Sequence, residues 1–342
     1  MWRNPCRFDS DRRHNTHPMQ AYFDLLITIG LVSTLLPAGI LLYSAKQRIQ
    51  SFEYRHKKLT YGASFLLFLG AVILLYGSYV EPRLLITNEQ TVDLPGIEHP
   101  FTIALVSDFQ LGVYNQTSHV SRVVDRIISL RPDIVMLAGD QLDNTPGDVD
   151  ETVYLTPLSR LVETGIPVYA VPGNHEYGVG GKRNSADNLR LFGDISASAA
   201  KAFTDLGITY MTNTLVTTTI QGQDIAIFGG DSYLAEKLSF DILTNKPETI
   251  PTIALIHNPG AVWLATKQDI DLMLSGHTHG GQIRFPFVGP LGRLDEPIPT
   301  DWYQGLQQVD DNTQLFVTSG TGESGTRARL FNPPEVVFLK VE

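Results

Sequence analysis

Thiols are almost missing from this chain of 342 residues: its one cysteine, Cys6, stands near the N-terminus. That excludes an intramolecular disulfide, a cysteine nucleophile in the body of the chain and cysteine-ligated zinc. Positive charge is scarce too. Ten of the 26 Lys plus Arg fall within the first 83 residues, against five Asp plus Glu; the remainder carries 16 against 31, a net charge of −15. Nucleic-acid phosphates are held mainly by Lys and Arg, so no nucleic-acid partner is expected. There is no internal repeat, no low-complexity tract and no Gly-Lys-Ser/Thr sequence of a phosphate-cradling P-loop.

Two stretches lack charge altogether. Leu25 to Ala45 runs 21 residues and Leu59 to Val80 runs 22, each long enough as a helix to cross a hydrocarbon core of about 30 Å. Phe65-Leu66-Leu67-Phe68-Leu69 and Val72-Ile73-Leu74-Leu75-Tyr76 show no polar stripe at helical spacing, which argues against buried helices of a soluble domain. The first block starts late and is followed by a second, so a membrane hairpin is expected in place of a cleaved leader. The loop between them carries five basic residues, Lys46, Arg48, Arg55, Lys57 and Lys58; the tail's four arginines plus Arg83 also make five. That tie is broken by distance, since the loop charges lie closer to a span end. The loop is therefore placed in the cytoplasm and the rest of the chain on the extracytoplasmic face.

The chemistry lies further on. Five clusters each follow a strand-like apolar run: Asp108-Phe109-Gln110 after Thr102 to Ser107, Gly139-Asp140 after Ile134 to Ala138, Gly173-Asn174-His175-Glu176 after Pro167 to Val171, His257 after Thr252 to Ile256, and Gly276-His277-Thr278-His279 after Asp271 to Ser275. In open α/β sheets, groups just beyond the carboxyl ends of strands converge on one crevice. Two divalent cations held close together need a bridging carboxylate and several neutral N and O ligands, and these clusters supply that set.

The order of these motifs resembles the signature of the calcineurin-like metallophosphoesterases. The segments Gly276 to Gln282, Pro286 to Gly292 and Ser319-Gly320-Thr321-Gly322, with Arg329 and Pro334-Glu335-Val336, are similar to a membrane-associated bacterial branch of that superfamily. The resemblance implies an α/β fold, an α-β-β-α sandwich of two mixed sheets, here preceded by a two-helix transmembrane hairpin. It implies that Asp108, Asp140 and His279 hold a first metal, that Asn174, His257 and His277 hold a second, and that Asp140 bridges. His175 is then the catalytic imidazole, and a hydroxide held between the metals the nucleophile. The family has a His where this chain has Gln110. An amide oxygen is a harder ligand than imidazole, so two cations of the Mn²⁺ or Mg²⁺ type are expected over Zn²⁺ or iron. Arg327 and Arg329 are expected at the mouth of the site as substrate-binding guanidiniums.

The expected organisation is a tail over 1–24, two transmembrane helices with a basic loop over 25–83, a linker over 84–100 and a metallophosphoesterase domain over 101–342. Within the domain, helices are expected from Thr117 or Ser118 to Leu130, near Thr152 to Glu163 and over Ser185 to Leu206, with a hairpin turn at Gly222-Gln223. The expected protein is a phosphodiester or pyrophosphate hydrolase anchored in the bacterial cytoplasmic membrane, and the two spans favour a lipid-linked substrate. Alternatives are a phosphodiesterase of soluble nucleotides, or a weakly active scaffold that keeps the fold.

Overall fold

The computed structural model describes residues 18–145, 149–180, 192–246, 249–292 and 297–342. The expected tail with Cys6 and the first part of the helix expected from Ser185 lie largely outside them. Two compact units divide at Leu74/Leu75.

The first unit is a helical hairpin. Helices Pro18–Gln47 and Lys57–Leu75 are joined by a turn that includes the short helix Phe52–Arg55, which Ser51 caps by accepting Tyr54 N at 3.1 Å. Gly30 faces Leu74, the Thr34 methyl faces Gly70, and Ser64 donates to the Ala38 carbonyl at 3.3 Å, an antiparallel register. A Cβ on Gly30 would come within 2.7 Å of Leu74 Cδ2, so a larger residue there would have to displace the tip of that leucine. Leu25, Leu36, Phe65 and Leu66 are each more than half exposed. Gln20–Gln47 and Lys57–Arg83 are long and apolar enough to cross a membrane.

The second unit has fourteen strands among its described residues. The first sheet contains β1 (Ile86–Val92), β2 (Phe101–Val106), β3 (Ile134–Ala138), β4 (Val168–Val171), β5 (Thr209–Tyr210) and the last strand, β14 (Glu335–Val341), in the order β1-β14-β2-β3-β4-β5. The second contains β6 (Thr214–Ile220), β7 (Gln223–Gly229), β8 (Thr252–Leu255), β9 (Leu272–Ser275), β12 (Gly305–Gln308) and β13 (Gln314–Val317), in the order β12-β13-β9-β8-β7-β6. Between them in the chain, β10 (Arg284–Phe285) and β11 (Gly289–Pro290) make a small hairpin. Both sheets are mixed: β14 runs antiparallel to β2, and β6 and β12 run antiparallel to β7 and β13.

The central strands read as unbroken apolar runs because both of their faces are buried. Ile103 and Leu105, Ile134 and Met136, Ile253 and Leu255, and Leu272 and Leu274 meet in the core between the sheets. The alternate residues Ala104, Val106, Val135 and Leu137 pack under the helices Thr117–Leu130 and Ser196–Asp205. On the other sheet Ala254, Ile256 and Met273 face a third core. A period of two thus divides one run between two cores and gives the α-β-β-α sandwich.

Four expectations change. The stretch 84–100 is more than a linker, because Ile86–Val92 forms an edge strand paired in parallel with β14. Only Val92 of that strand is buried, so it carried no clear apolar period. The helix near Thr152 to Glu163 is a 3₁₀ segment over Glu151–Leu158 followed by one α-turn, Ser159–Glu163; Pro157 lacks the N–H an α-helix would use there. The described helix in the third region begins only at Ser196. The turn between β6 and β7 forms at Gln221 and Gly222, both left-handed (φ 52° and 82°), as a tight hairpin requires.

Candidate metal centre

Each cluster begins where its strand stops. Asp108, Asp140, His257 and His277 stand two residues past β2, β3, β8 and β9, and Asn174 three past β4, so the carboxyl ends of both sheets feed one site. The chain turns abruptly there. Asp108, Gln110, Asp140, His277 and His279 all take left-handed backbone (φ 54°, 47°, 51°, 68° and 50°), a conformation uncommon outside glycine and concentrated at functional sites. Two glycines let these turns nest: a Cβ on Gly173 would collide with the Asp140 carboxylate, and one on Gly276 with Ser107 and Asp108.

Each aspartate uses one oxygen to hold a neighbouring loop and turns the other inward. Asp108 Oδ2 accepts from His277 N (3.0 Å) and Asp140 Oδ1 from His175 N (2.9 Å). Asp140 Oδ2 then lies 3.1 Å from His257 Nε2 and accepts from Gln110 Nε2 at 3.2 Å. Asp108 Oδ1 lies 3.4 Å from His279 Nε2. The histidines are oriented from behind. His257 Nδ1 donates to the Ala138 carbonyl (2.7 Å) and His279 Nδ1 to that of Gly322 (3.2 Å), which turns both Nε2 atoms into the site. The His277 ring meets that of His257 edge-on, 5.1 Å between centroids. Asn174 Nδ2 donates to Val179 O at 2.7 Å, which leaves its Oδ1 facing inward.

These residues fit a metal centre. Ligand atoms of Asp140, His257 and His277 lie within 4.8 Å of one another. Asp108 Oδ1, Gln110 Oε1 and Asn174 Oδ1 are buried acceptors that no protein donor reaches. Such atoms are costly unless something positive completes them. Burial opposes charge on both His257 and Asp140, but their mutual attraction prevails: His257 is pushed up to about 10, and Asp140 is held well below the usual carboxylate range. Burial together with nearby Arg329 takes His279 down to about 4 against the pull of Asp108.

His175 lies at the rim, its side chain 19% exposed. Its Nδ1 donates to the Asp143 carbonyl at 2.9 Å, and its Nε2 is 3.7 Å from Asp140 Oδ2. Burial lowers its basicity, yet Asp140 and the Asp143 backbone and carboxylate outweigh that and raise it. Glu176 serves the loops. One oxygen accepts from Gln141 N and Leu142 N (2.9 and 3.1 Å) and the other from Gly173 N (2.8 Å), which ties the Asp140 turn to the Asn174 turn.

The two expected substrate-binding arginines lie elsewhere. Arg329 is fully buried, and its guanidinium donates to the carbonyls of Ser319 (2.8 Å), Gly322 (2.6 Å) and Asn332 (3.1 Å). Arg327 stacks over Tyr114, 4.8 Å from the ring centroid, in a different cavity. The Gly-rich run before them turns under the site, so neither lines the cleft. That cleft, about 360 Å³, is bounded by Asp140, Asn174, His175, His277 and His279 and walled by Ile283 and Leu291. The walls and the contact from Asn332 Nδ2 to His279 O (2.6 Å) were missed in the sequence. Only the position of Ile283 just after the Gly276-to-Gln282 motif hinted at them.

Two facing mixed sheets under helices, with acids, amides and imidazoles gathered at their carboxyl ends, define the metallophosphoesterase fold. The chain belongs to the calcineurin-like phosphoesterase family, whose model matches residues 101–281, more than half of its length. It is similar to an uncharacterized metallophosphoesterase of Campylobacter jejuni (30% identity, 73% of this chain, 62% of that protein). It is also similar to a transmembrane protein with metallophosphoesterase domain of Danio rerio (28%, 86% and 65%) and to phosphodiesterase YaeI of Escherichia coli (28%, 71% and 82%). The chain thus spans less than two thirds of the length of the first two relatives.

Proposed function

We propose that the protein is a membrane-anchored, two-metal phosphohydrolase that cleaves a phosphodiester or pyrophosphate bond, with a lipid-linked phosphoester as the substrate. The observation that carries the reading is the set of inward, unpartnered oxygens of Asp108, Gln110 and Asn174, gathered with His257, His277 and His279 around Asp140. Asp108, Gln110, Asp140 and His279 would hold one cation; Asp140, Asn174, His257 and His277 the other. Two bound cations supply Lewis acidity toward phosphoryl oxygens and lower the pKa of bound water. Oxygen-rich ligation at Gln110 favours Mn²⁺ or Mg²⁺ there.

The protein's own contribution is placement. The Ala138 and Gly322 carbonyls fix the His257 and His279 rings, and Glu176 locks two of the turns together. His175, anchored through Nδ1, presents Nε2 at the rim with its basicity raised, where a proton on it serves a phosphoryl oxygen or the departing alkoxide. Ile283 and Leu291 give the cleft an apolar wall beside this polar floor, which suits an amphiphilic substrate. The names of the E. coli relative, a phosphodiesterase, and of the zebrafish relative, a transmembrane protein, support the same reading. The two membrane-length helices supply the anchor, with the basic loop in the cytoplasm and the catalytic unit outside a bacterial inner membrane.

The test is hydrolysis by the full chain in detergent after metal stripping and reloading with Mn²⁺, Mg²⁺ or Zn²⁺, using an aryl phosphodiester, a nucleotide phosphodiester and a lipid phosphodiester. Metal-dependent turnover that is fastest on the lipid is expected. Binding of metals without turnover of any of the three would mark the fold as a scaffold.

A further inference from the structure

The hairpin that walls one side of the cleft carries a surface unsuited to water. Between β10 and β11 the turn holds Phe287, fully exposed, and Val288, 73% exposed. Leu291 is 59% exposed, and Phe331, 6.3 Å from the Phe285 ring, is 54% exposed. Phe287 has φ 66°, backbone that turns usually assign to Gly or Asn. An aromatic held outward at a strained position, within a contiguous apolar patch, marks an interaction surface.

Its surroundings identify the occupant. Arg284 N donates to Leu330 O (2.9 Å) and Leu330 N to Gln282 O (3.2 Å), while the preceding residue, Arg329, donates its N–H to Gly77 O (2.9 Å). Gly77 belongs to the membrane-length segment Lys57–Arg83. The apolar hairpin is therefore joined by consecutive backbone hydrogen bonds to the end of that segment. Charge agrees: Arg327, two residues before Arg329, lines a cavity of about 220 Å³ with Arg83 and Arg122. One carboxylate, Glu323, lines the same cavity, so three guanidiniums face a single acid there. Basic residues beside apolar ones are the composition of a surface that lies in an anionic lipid interface.

We infer that Phe285, Phe287, Val288 and Leu291 form a lip inserted into the phospholipid bilayer, which brings the cleft mouth, through Ile283 and Leu291, down to substrate still held in the membrane. This rests on the reading of the protein as a membrane-anchored phosphohydrolase and adds that its substrate is taken from the bilayer, not from water.

The test uses the full chain with Cys6→Ser and one new thiol, Val288→Cys or Val153→Cys, labelled with an environment-sensitive fluorophore. Val153 is an exposed site away from the hairpin. The protein is reconstituted into phosphatidylcholine–phosphatidylglycerol vesicles with nitroxide-labelled phosphatidylcholine. The label at 288 should be quenched by the nitroxide lipid and protected from aqueous iodide, and the label at 153 should behave in the opposite way. Iodide access at 288 equal to that at 153 overturns the inference, and so does shielding from both quenchers, which would mean that protein covers the patch. In parallel, Phe287→Ser/Val288→Ser should keep its turnover of bis(para-nitrophenyl) phosphate in water and lose several-fold on vesicle-borne para-nitrophenyl hexadecyl phosphate. Equal turnover of the hexadecyl ester by variant and parent also overturns it. A parent that hydrolyses neither ester refutes the phosphohydrolase reading instead, and the label's position still decides insertion.

Discussion

Arg329 and His279 share an acceptor: the buried guanidinium donates to the Gly322 carbonyl at 2.6 Å, and the same oxygen receives His279 Nδ1 at 3.2 Å. An arginine outside the cleft thereby fixes the imidazole proposed for the first metal. Arg329→Lys keeps the charge and loses the fork that reaches several carbonyls. We expect a loss of about 2–4 kcal/mol in stability, the range for breaking a buried charged network, together with weaker metal binding. Calorimetric unfolding and metal titration of the folded fraction measure the two. Metal affinity equal to wild type in a destabilised variant would limit Arg329 to a structural role.

Asp140 accepts from the backbone of His175, contacts His257 and Gln110, and is the proposed bridge. Asp140→Asn removes the anion both cations would share while leaving Oδ1 to hold the His175 amide. Metal content should fall and phosphodiester hydrolysis should drop by orders of magnitude with little change in folding. Retention of activity in the metal-stripped variant would remove the two-metal mechanism.

The strands of the sandwich were legible because burial on both faces leaves a strong apolar signal: Ile134–Ala138 was placed to the residue and its neighbours to within one or two. The clusters after those strands were legible for the same reason. What failed was whatever depends on tertiary contact. Ile86–Val92 has no apolar period, since an edge strand partnered only by β14 needs none. His119 belongs to none of the five clusters and nothing in its local sequence marks it, yet it packs edge-on against Phe109, 5% exposed, because Thr321 and Arg122 satisfy both of its nitrogens. Arg329 read as a substrate contact because nothing local shows that the loop carbonyls of Ser319, Gly322 and Asn332 need a donor.

That histidine carries a pH dependence. Arg122 can only donate, so His119 Nδ1 accepts from it and Nε2–H donates to Thr321 Oγ1. Burial first, then Arg122 and Arg329, lowers its pKa from 6.5 to about 3. A folded pKa below the unfolded one means that the unfolded chain binds the extra proton. The stabilisation is complete above pH 6.5 and lost as pH falls from 6.5 toward 3, at up to about 1.4 kcal/mol per pH unit. His119→Gln can make both hydrogen bonds and does not titrate. The difference between wild-type and H119Q denaturation free energies should be flat above pH 6.5 and slope below it. Parallel curves down to pH 4 would show that His119 takes up its proton in the folded state.

The boundary of the catalytic unit can be tested by truncation. Gly77, Ser78, Glu81 and Pro82 are buried. Gly77 O accepts from Arg329 N, and Glu81 accepts from the Asn332 amide, whose side chain holds the His279 carbonyl. A fragment starting at Leu75 keeps these partners, whereas one starting at Leu84, the boundary that hydropathy suggests, strips them from under the site. We expect the longer fragment to unfold at a temperature at least several degrees higher, since about 1 kcal/mol is worth a few degrees in a unit of this size. Equal melting temperatures would mean that residues 75–83 are only a tether.

Gln110 is the one departure from the family's ligand pattern, and its geometry permits two roles. Its Nε2 donates to Asp140 Oδ2 at 3.2 Å, while Oε1 is buried with no donor. As a ligand through Oε1 it makes the first site harder, and the enzyme should work best with Mn²⁺ or Mg²⁺. As a donor to Asp140 alone it would merely orient the bridge. Gln110→His separates the two, because imidazole restores a softer nitrogen at the same left-handed turn (φ 47°), which His tolerates better than most residues. Stripped wild-type and Q110H proteins are titrated with Mn²⁺, Mg²⁺ and Zn²⁺ while aryl phosphodiester hydrolysis is followed. The variant should bind Zn²⁺ more tightly and shift its activity ranking toward it, with Mg²⁺ activation reduced. An unchanged ranking and unchanged affinities would place Gln110 outside the first metal's ligands and leave it as the partner of Asp140.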